Sequence, residues 1–188
     1  MCGRFHIDIT EPEWRDIIYE VQRRNPGETV KQGDVCPTDK TPVIVARGGR
    51  ATPGLLAWGY DKPAGAKGVI INARAETVTE RPMFASDFMQ RRCLIPASGF
   101  YEWSRDKTKY LYRKPRGLLY LGGFYRTRGG KSTFVILTKE ATPPVSAVHD
   151  RIPVIIDGAD AEYWLTDPRF AGGALAKPYA AELYALQV

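Results

Sequence analysis

Apolar positions recur at helical spacing near the start of the chain. Trp14, Ile17, Ile18 and Val21 fall on one face. Thr10-Glu11-Pro12-Glu13 precedes them, and the spacing predicts a capping box in which Thr10 caps the Glu13 amide and Glu13 reaches back. Asn25-Pro26-Gly27 stops the helix. Beyond it the pattern becomes that of strands. The runs 42–47, 54–60, 68–73, 110–114, 117–125 and 132–138 are short, rich in β-branched or aromatic residues, and punctuated by Gly and Pro. Helices are expected over 80–91 and 159–166. The strands mostly follow one another without intervening helices, which argues against a parallel βαβ sheet. The expected fold is α+β: a single domain over residues 2–188, built on a mainly antiparallel, curled, barrel-like sheet with flanking helices.

Composition changes this picture little. The 188 residues suffice for a real core, and 44% hydrophobic with 26% charged content reads as globular. No run approaches the roughly 20 apolar residues that span a bilayer. The N-terminus carries no basic segment followed by an apolar stretch, so a cytoplasmic protein without membrane association is expected. The three cysteines, Cys2, Cys36 and Cys93, are widely spaced and form no CxxC. Reduced thiols are expected, and no metal site.

Charge adds a partner class. The net charge of +6 and pI near 9.3 suit a polyanion such as nucleic acid, or else merely confer solubility. Arg113, Lys114 and Arg116 form one basic cluster and Arg126, Arg128 and Lys131 another, with tyrosines among them. Cationic grooves with aromatic platforms bind single strands; an ordinary solvated hairpin has the same composition.

The candidate chemistry begins at Cys2. Removal of an initiator methionine, normal before a small residue, leaves a 1,2-aminothiol. Its amine and thiol have reference pKa values of about 8 and 8.5. Such a group condenses with an aldehyde, first as an imine and then as a thiazolidine. An internal cysteine cannot do this, because its nitrogen is an amide. Three further stretches set polar residues against apolar runs. "IINARAET" holds Asn72, Arg74 and Glu76, "CLIPASGFYEW" holds Glu102 and Trp103, and "AVHDRIPVII" holds His149, Asp150 and Arg151. Each has a structural alternative: a frayed cysteine, a strand-ending asparagine, a glutamate paired with an arginine, a histidine at a helix cap. Together they supply the parts for covalent acid–base chemistry.

"MCGRF", "WGY", "NARAET", "RRCLIPASGFYEW" and "HDRIPVII", in this order, resemble the SRAP family, named for "SOS response-associated peptidase". The resemblance runs from residue 2 to about 165. It implies a protein that senses and shields abasic sites in single-stranded DNA through a covalent thiazolidine crosslink at Cys2, with imine-based lyase chemistry at its side. It places the family's active-site asparagine, glutamate and histidine on Asn72, Glu102 and His149. Arg4 and Arg74 fall where phosphate-binding arginines are expected. Thr138 and Arg151 are expected to line the site. Pro37, Trp58 and Met83, with Trp103 nearby, are expected to wedge against bases. A monomer without organic cofactor or metal is implied. Two departures accompany the resemblance. After "WGY" the chain reads "DKPAGAKG" in place of a proline and tryptophans, and it stops at "ELYALQV", where the family commonly runs on. A cysteine peptidase, acting on Met1 alone or more widely, and a non-covalent single-strand-binding module are the competing readings.

Overall fold

The computed structural model describes residues 2–179 and 182–188. Its first elements are β1 (Phe5–Ile7), α1 (Trp14–Arg24), β2 (Gly33–Val35), β3 (Lys40–Arg47) and β4 (Arg50–Trp58). Helix α1 forms where the apolar stripe lies: Trp14, Ile17 and Val21 are buried, and Ile18 packs beside them. The capping box is absent. The Thr10 hydroxyl and amide both donate to Asp8 Oδ1, at 2.6 and 3.1 Å. That local turn spends the hydroxyl before the helix begins. Glu13 occupies the N-cap position without a side-chain capping bond.

The middle of the chain carries β5 (Tyr60–Asp61), β6 (Val69–Ile70), β7 (Asn72–Arg74), α2 (Ala85–Gln90), β8 (Arg92–Ala97) and β9 (Gly99–Trp103). The expected strand 54–60 breaks at Gly59, whose φ of +115° only glycine adopts comfortably. The expected strand 68–73 divides at Ile71, and its two halves join different sheets. The Ile71 carbonyl accepts from the Trp58 indole at 3.0 Å and from the Ile136 amide at 3.1 Å. The helix expected over 80–91 is confined to Ala85–Gln90. Pro82 disfavours helical geometry in the residue before it, and turns fill the approach.

The remaining elements are β10 (Lys109–Arg113), β11 (Leu119–Arg128), β12 (Lys131–Glu140), β13 (Arg151–Pro153), β14 (Ile155–Ile156), α3 (Ala161–Thr166), α4 (Pro168–Ala176) and β15 (Tyr184–Gln187). Helix α4 was not expected. Asp167 caps it by accepting from the amides of Arg169 and Phe170 at 2.7 and 3.3 Å, and Pro168 stands in its first turn.

The α+β expectation is met. Among the described residues, one five-stranded sheet runs β15-β10-β9-β1-β2, all antiparallel. A second, eight-stranded sheet contains the pairings β12–β4, β4–β3, β3–β8, β8–β11 and β11–β12, so it curls until its path returns to β12. Only β4 and β7, among the described strands, pair with β12 in parallel. Strands β8 and β9 are consecutive in the chain yet belong to the two different sheets, and Ser98 is the step between them. Its amide donates to the His6 carbonyl at 2.8 Å. Its hydroxyl accepts from the Asp8 amide at 2.9 Å and from the Trp14 indole at 3.0 Å. One residue therefore ties β1, α1 and the sheet junction together.

The core forms two clusters: in one, Trp58 stacks on Phe134 with ring centroids 6.2 Å apart and meets Phe5 at 5.2 Å, and the other gathers Tyr60, Phe88, Phe124 and Trp164. No helix among the described residues is long and apolar enough to cross a membrane. Close strand packing also explains one glycine. A Cβ at Gly123 would lie 2.4 Å from the Val135 carbonyl oxygen and 2.9 Å from Ile95 Cδ1. Gly123→Ala is expected to destabilise the protein by about 2–3 kcal/mol through overpacking, read as a lower denaturation midpoint in urea.

Candidate functional site

Strand alternation sorts the residues of the small sheet. Phe5, Phe100, Glu102 and Tyr112 turn inward and are buried, whereas Arg4, His6 and Trp103 remain partly open to solvent. Cys2 lies at the inner end, with 0% exposure. Its thiol approaches the Arg4 carbonyl at 3.8 Å. Its own carbonyl accepts from Asn72 Nδ2 at 2.8 Å, across 70 residues of chain. Asn72 reaches it because β7 lies parallel to β12, with Asn72 opposite Ile136. Asn72 Oδ1 is buried and finds no hydrogen-bond partner among the described residues, so an acceptor remains available at this point.

Glu102 is 2% exposed. Burial pushes its carboxyl up to about 7, near the pH at which a group both gives and takes protons. His149 Nε2 lies 4.0 Å from Glu102 Oε2. The His149 Nδ1 receives two approaches: the Arg151 amide at 3.0 Å and Asp150 Oδ1 at 3.0 Å. An amide can only donate, and burial holds the imidazole below its ordinary pKa. Nδ1 thus lies between a donating amide and the Asp150 carboxylate, and Nε2 faces Glu102. Burial also raises the Cys2 thiol well above its usual range, with the nearby Glu102 charge acting in the same direction. At rest the sulfur is a protonated thiol.

A groove of about 760 Å³ opens beside this group. Trp103 to Asp106 form one wall and Ser146 to Asp150 the other, so His149 faces it. The Arg4 guanidinium sits 5.5 Å from the Trp103 ring centroid and pairs with Asp34 at 3.3 Å. Arg74 is exposed and makes no ion pair among the described residues. Among the described residues, no three His, Cys, Asp or Glu side chains are grouped as a metal would need.

The structure thus unites Cys2, Asn72, Glu102 and His149, with Arg4 and Trp103 at the rim. Other expected contacts are corrected. Trp58 is fully buried, and its stacking and its indole bond to Ile71 make it a core residue that cannot wedge against a base. Thr138 is 1% exposed, and its hydroxyl lies 3.5 Å from the Arg151 guanidinium. The Arg151 guanidinium is held by both Glu76 carboxylate oxygens, at 2.7 and 2.9 Å, and by the Thr138 carbonyl at 2.6 Å. The Arg151 backbone amide donates to His149 Nδ1. Pro37 is half-buried in the turn before β3, next to Thr38 with its φ of +78°. Met83 lines a separate groove with Lys62, Asp87 and Arg126. The expectation about Met1 lies outside the described residues.

Sequence reasoning missed the support around Arg4. Asp34 also accepts from Tyr101 Oη at 2.8 Å, approaches His6 Nδ1 at 3.2 Å and pairs with Lys109 at 3.6 Å. Burial opposes its ionisation, but the bonds from Tyr101 and His6 outweigh that and hold its carboxyl below the usual range. The i, i+2 spacing of Arg4 and His6 was the available signal.

Comparison with known proteins shows the family. The family model "SOS response associated peptidase (SRAP)" matches residues 1–188, and the chain belongs to that family. The abasic site processing protein YoqW of Bacillus subtilis is 35% identical, over 97% of this chain and 89% of its own length. The abasic site processing protein YoaM of the same organism is 34% identical, over 100% of this chain and 91% of its own. A crystal structure of a protein from Bordetella bronchiseptica shares the fold at a TM-score of 0.81 and 20% identity, covering 100% of this chain and 99% of that one.

The burial pattern has a direct chemical readout. In the native protein, a small alkylating reagent is expected to label half-buried Cys36 and to spare Cys2 and Cys93, followed by mass spectrometry. Asn72→Ala removes one hydrogen bond worth about 1 kcal/mol, so Cys2 labelling should rise about fivefold while Cys93 stays silent.

Proposed function

We propose that this chain captures abasic sites in single-stranded DNA through Cys2. The observation that carries this reading is the 2.8 Å bond from Asn72 Nδ2 to the Cys2 carbonyl, which holds residue 2 in a buried pocket with Glu102 and His149. The relatives' names supply the substrate: both Bacillus subtilis proteins are called abasic site processing proteins.

The chemistry follows from a mature chain that begins at Cys2. A ring-opened abasic sugar presents an aldehyde carbon. The α-amine adds to it, giving a carbinolamine, and loss of one water gives the imine. The Cys2 sulfur then bonds to the same carbon as its proton moves to the imine nitrogen, closing a thiazolidine. The net change is aldehyde plus aminothiol less one water. Glu102 accepts a proton from the attacking amine and returns it to the departing hydroxyl, a task suited to a carboxyl with a pKa of about 7. The neutral His149 donates toward the sugar ring oxygen as it opens. The Asn72 acceptor orients the amine or a sugar hydroxyl. Arg4 and Arg74 supply charge for the flanking phosphates, and Trp103 borders the strand. The imine also permits β-elimination, a lyase side reaction. A monomer needs no further partner for these steps.

The peptidase reading fits less well. A cysteine peptidase uses a thiolate, and burial holds the Cys2 thiol protonated.

The test combines purified protein with single-stranded DNA bearing one abasic site, followed by a denaturing gel and intact mass spectrometry. The expected product is a species whose mass equals the Met1-free protein plus DNA less one water. Undamaged DNA and Cys2→Ala should give none. Absence of the adduct from protein verified to begin at Cys2 would overturn the proposal. Glu102→Gln should slow adduct formation by about 10²–10⁴-fold. In the wild type the rate should fall as pH drops below about 7, because the carboxylate form of Glu102 is then depleted.

A further inference from the structure

We propose that Tyr112 is a positioning residue for Glu102, its buried phenol donating a hydrogen bond to the Glu102 carboxylate when that group gives up its proton. Tyr112 is 0% exposed, and its hydroxyl has no hydrogen-bond partner among the described residues. Buried hydroxyls without partners are rare, and each calls for a reason. The register of β9 and β10 supplies one. Glu102 lies opposite Tyr110 and Phe100 opposite Tyr112, so Tyr112 is the diagonal neighbour of Glu102 on the same inward face. The Tyr112 ring is fixed by stacking on Phe100, with centroids 5.3 Å apart and planes 18° from parallel. The ring is thereby fixed on the inward face that also carries Glu102, near enough for the Glu102 charge to act on its hydroxyl.

The other groups around Glu102 are of different kinds. Tyr110 lies across the strand pair, the Cys2 thiol enters from the N-terminal segment, and His149 and Asp150 approach from the loop before β13. The mature α-amine would join them. His149 is 27% exposed on its side chain and burial holds its imidazole below the ordinary range, whereas Tyr112 is sealed. Burial, followed by the Glu102 charge, pushes the phenol up to about 12, so it remains a donor throughout the working range. A donor to the ionised carboxylate opposes the effect of burial and keeps Glu102 within reach of neutral pH.

The role in catalysis rests on the reading of Glu102 as the proton shuttle, but the electrostatic claim can be measured without it. The experiment is a ¹³C NMR titration of protein labelled at its glutamate carboxyls, with Glu102 assigned from the signal lost in Glu102→Gln. In Tyr112→Phe, which keeps the ring, the Glu102 midpoint is expected to rise by about one pH unit relative to wild type. The acid limb of the adduct-forming rate should move in the same direction. Fluorotyrosine at position 112, a stronger donor, should lower the midpoint, and it serves equally if Tyr112→Phe does not fold. A midpoint unmoved by either replacement would overturn the proposal. A midpoint that moves while Glu102→Gln crosslinks at the wild-type rate would uphold the Tyr112–Glu102 coupling and overturn the shuttle role instead.

Discussion

The site depends on burying the second residue of the chain. A terminal segment is ordinarily solvated and mobile. Here Cys2 is sealed against the inner face of the small sheet, and a side chain 70 residues away holds its carbonyl. Everything else in the pocket is arranged around that anchorage. Glu102 takes its shifted proton affinity from the same desolvation that keeps the thiol protonated. A backbone amide holds the imidazole so that its Nε2 faces that carboxyl. The low dielectric that makes an isolated charge costly also gives a passing charge strong influence. A buried site of this type suits reactions that move protons between neutral groups better than reactions that begin from a stable anion.

The two-sheet architecture makes this anchorage possible. Strand β9 carries Glu102 and pairs directly with β1, while β8, one residue upstream, belongs to the curled sheet. The large sheet contributes Asn72 through the parallel pairing of β7 with β12, and the far end of β12 pairs with β13, just beyond His149. The pocket therefore lies where the two sheets meet, with Glu102 and Asn72 on strands whose mutual positions are set by backbone ladders. Cys2, ahead of β1, and His149, in the loop before β13, lie outside those ladders, as does the groove beside His149.

Much of this was legible from residue order, for identifiable reasons. The Trp14–Ile17–Val21 stripe and the aromatic strand runs obey simple periodicities, so α1 and the α+β class follow from pattern alone. Asn72, Glu102 and His149 stood out because each borders an apolar run, and Cys2 because loss of one residue would make it N-terminal. The boundaries failed where a side chain found a nearer partner. Thr10 bonded Asp8 instead of Glu13, and Pro82 and Gly59 cut elements short. Trp58 was misjudged because linear sequence does not show which face of a strand looks inward once a sheet curls. Arg151 was misjudged because its guanidinium partner, Glu76, lies 75 residues away. The Asp34 cluster was missed for the same reason, since its members come from four separate strands.

Ser98 carries a consequence for interpreting mutational screens. Its single hydroxyl oxygen serves both the amide ahead of α1 and the indole of Trp14, at the step from which the Glu102 strand departs. Helix α1 contributes no atom to the pocket, yet it is wired by that oxygen to the strand that does. A screen scored only on activity would therefore count Trp14 and Ser98 among the reacting residues. A screen scored on abundance would class them as packing. Only the two read together would reveal them as the joint through which a remote helix sets the alignment of the chemistry.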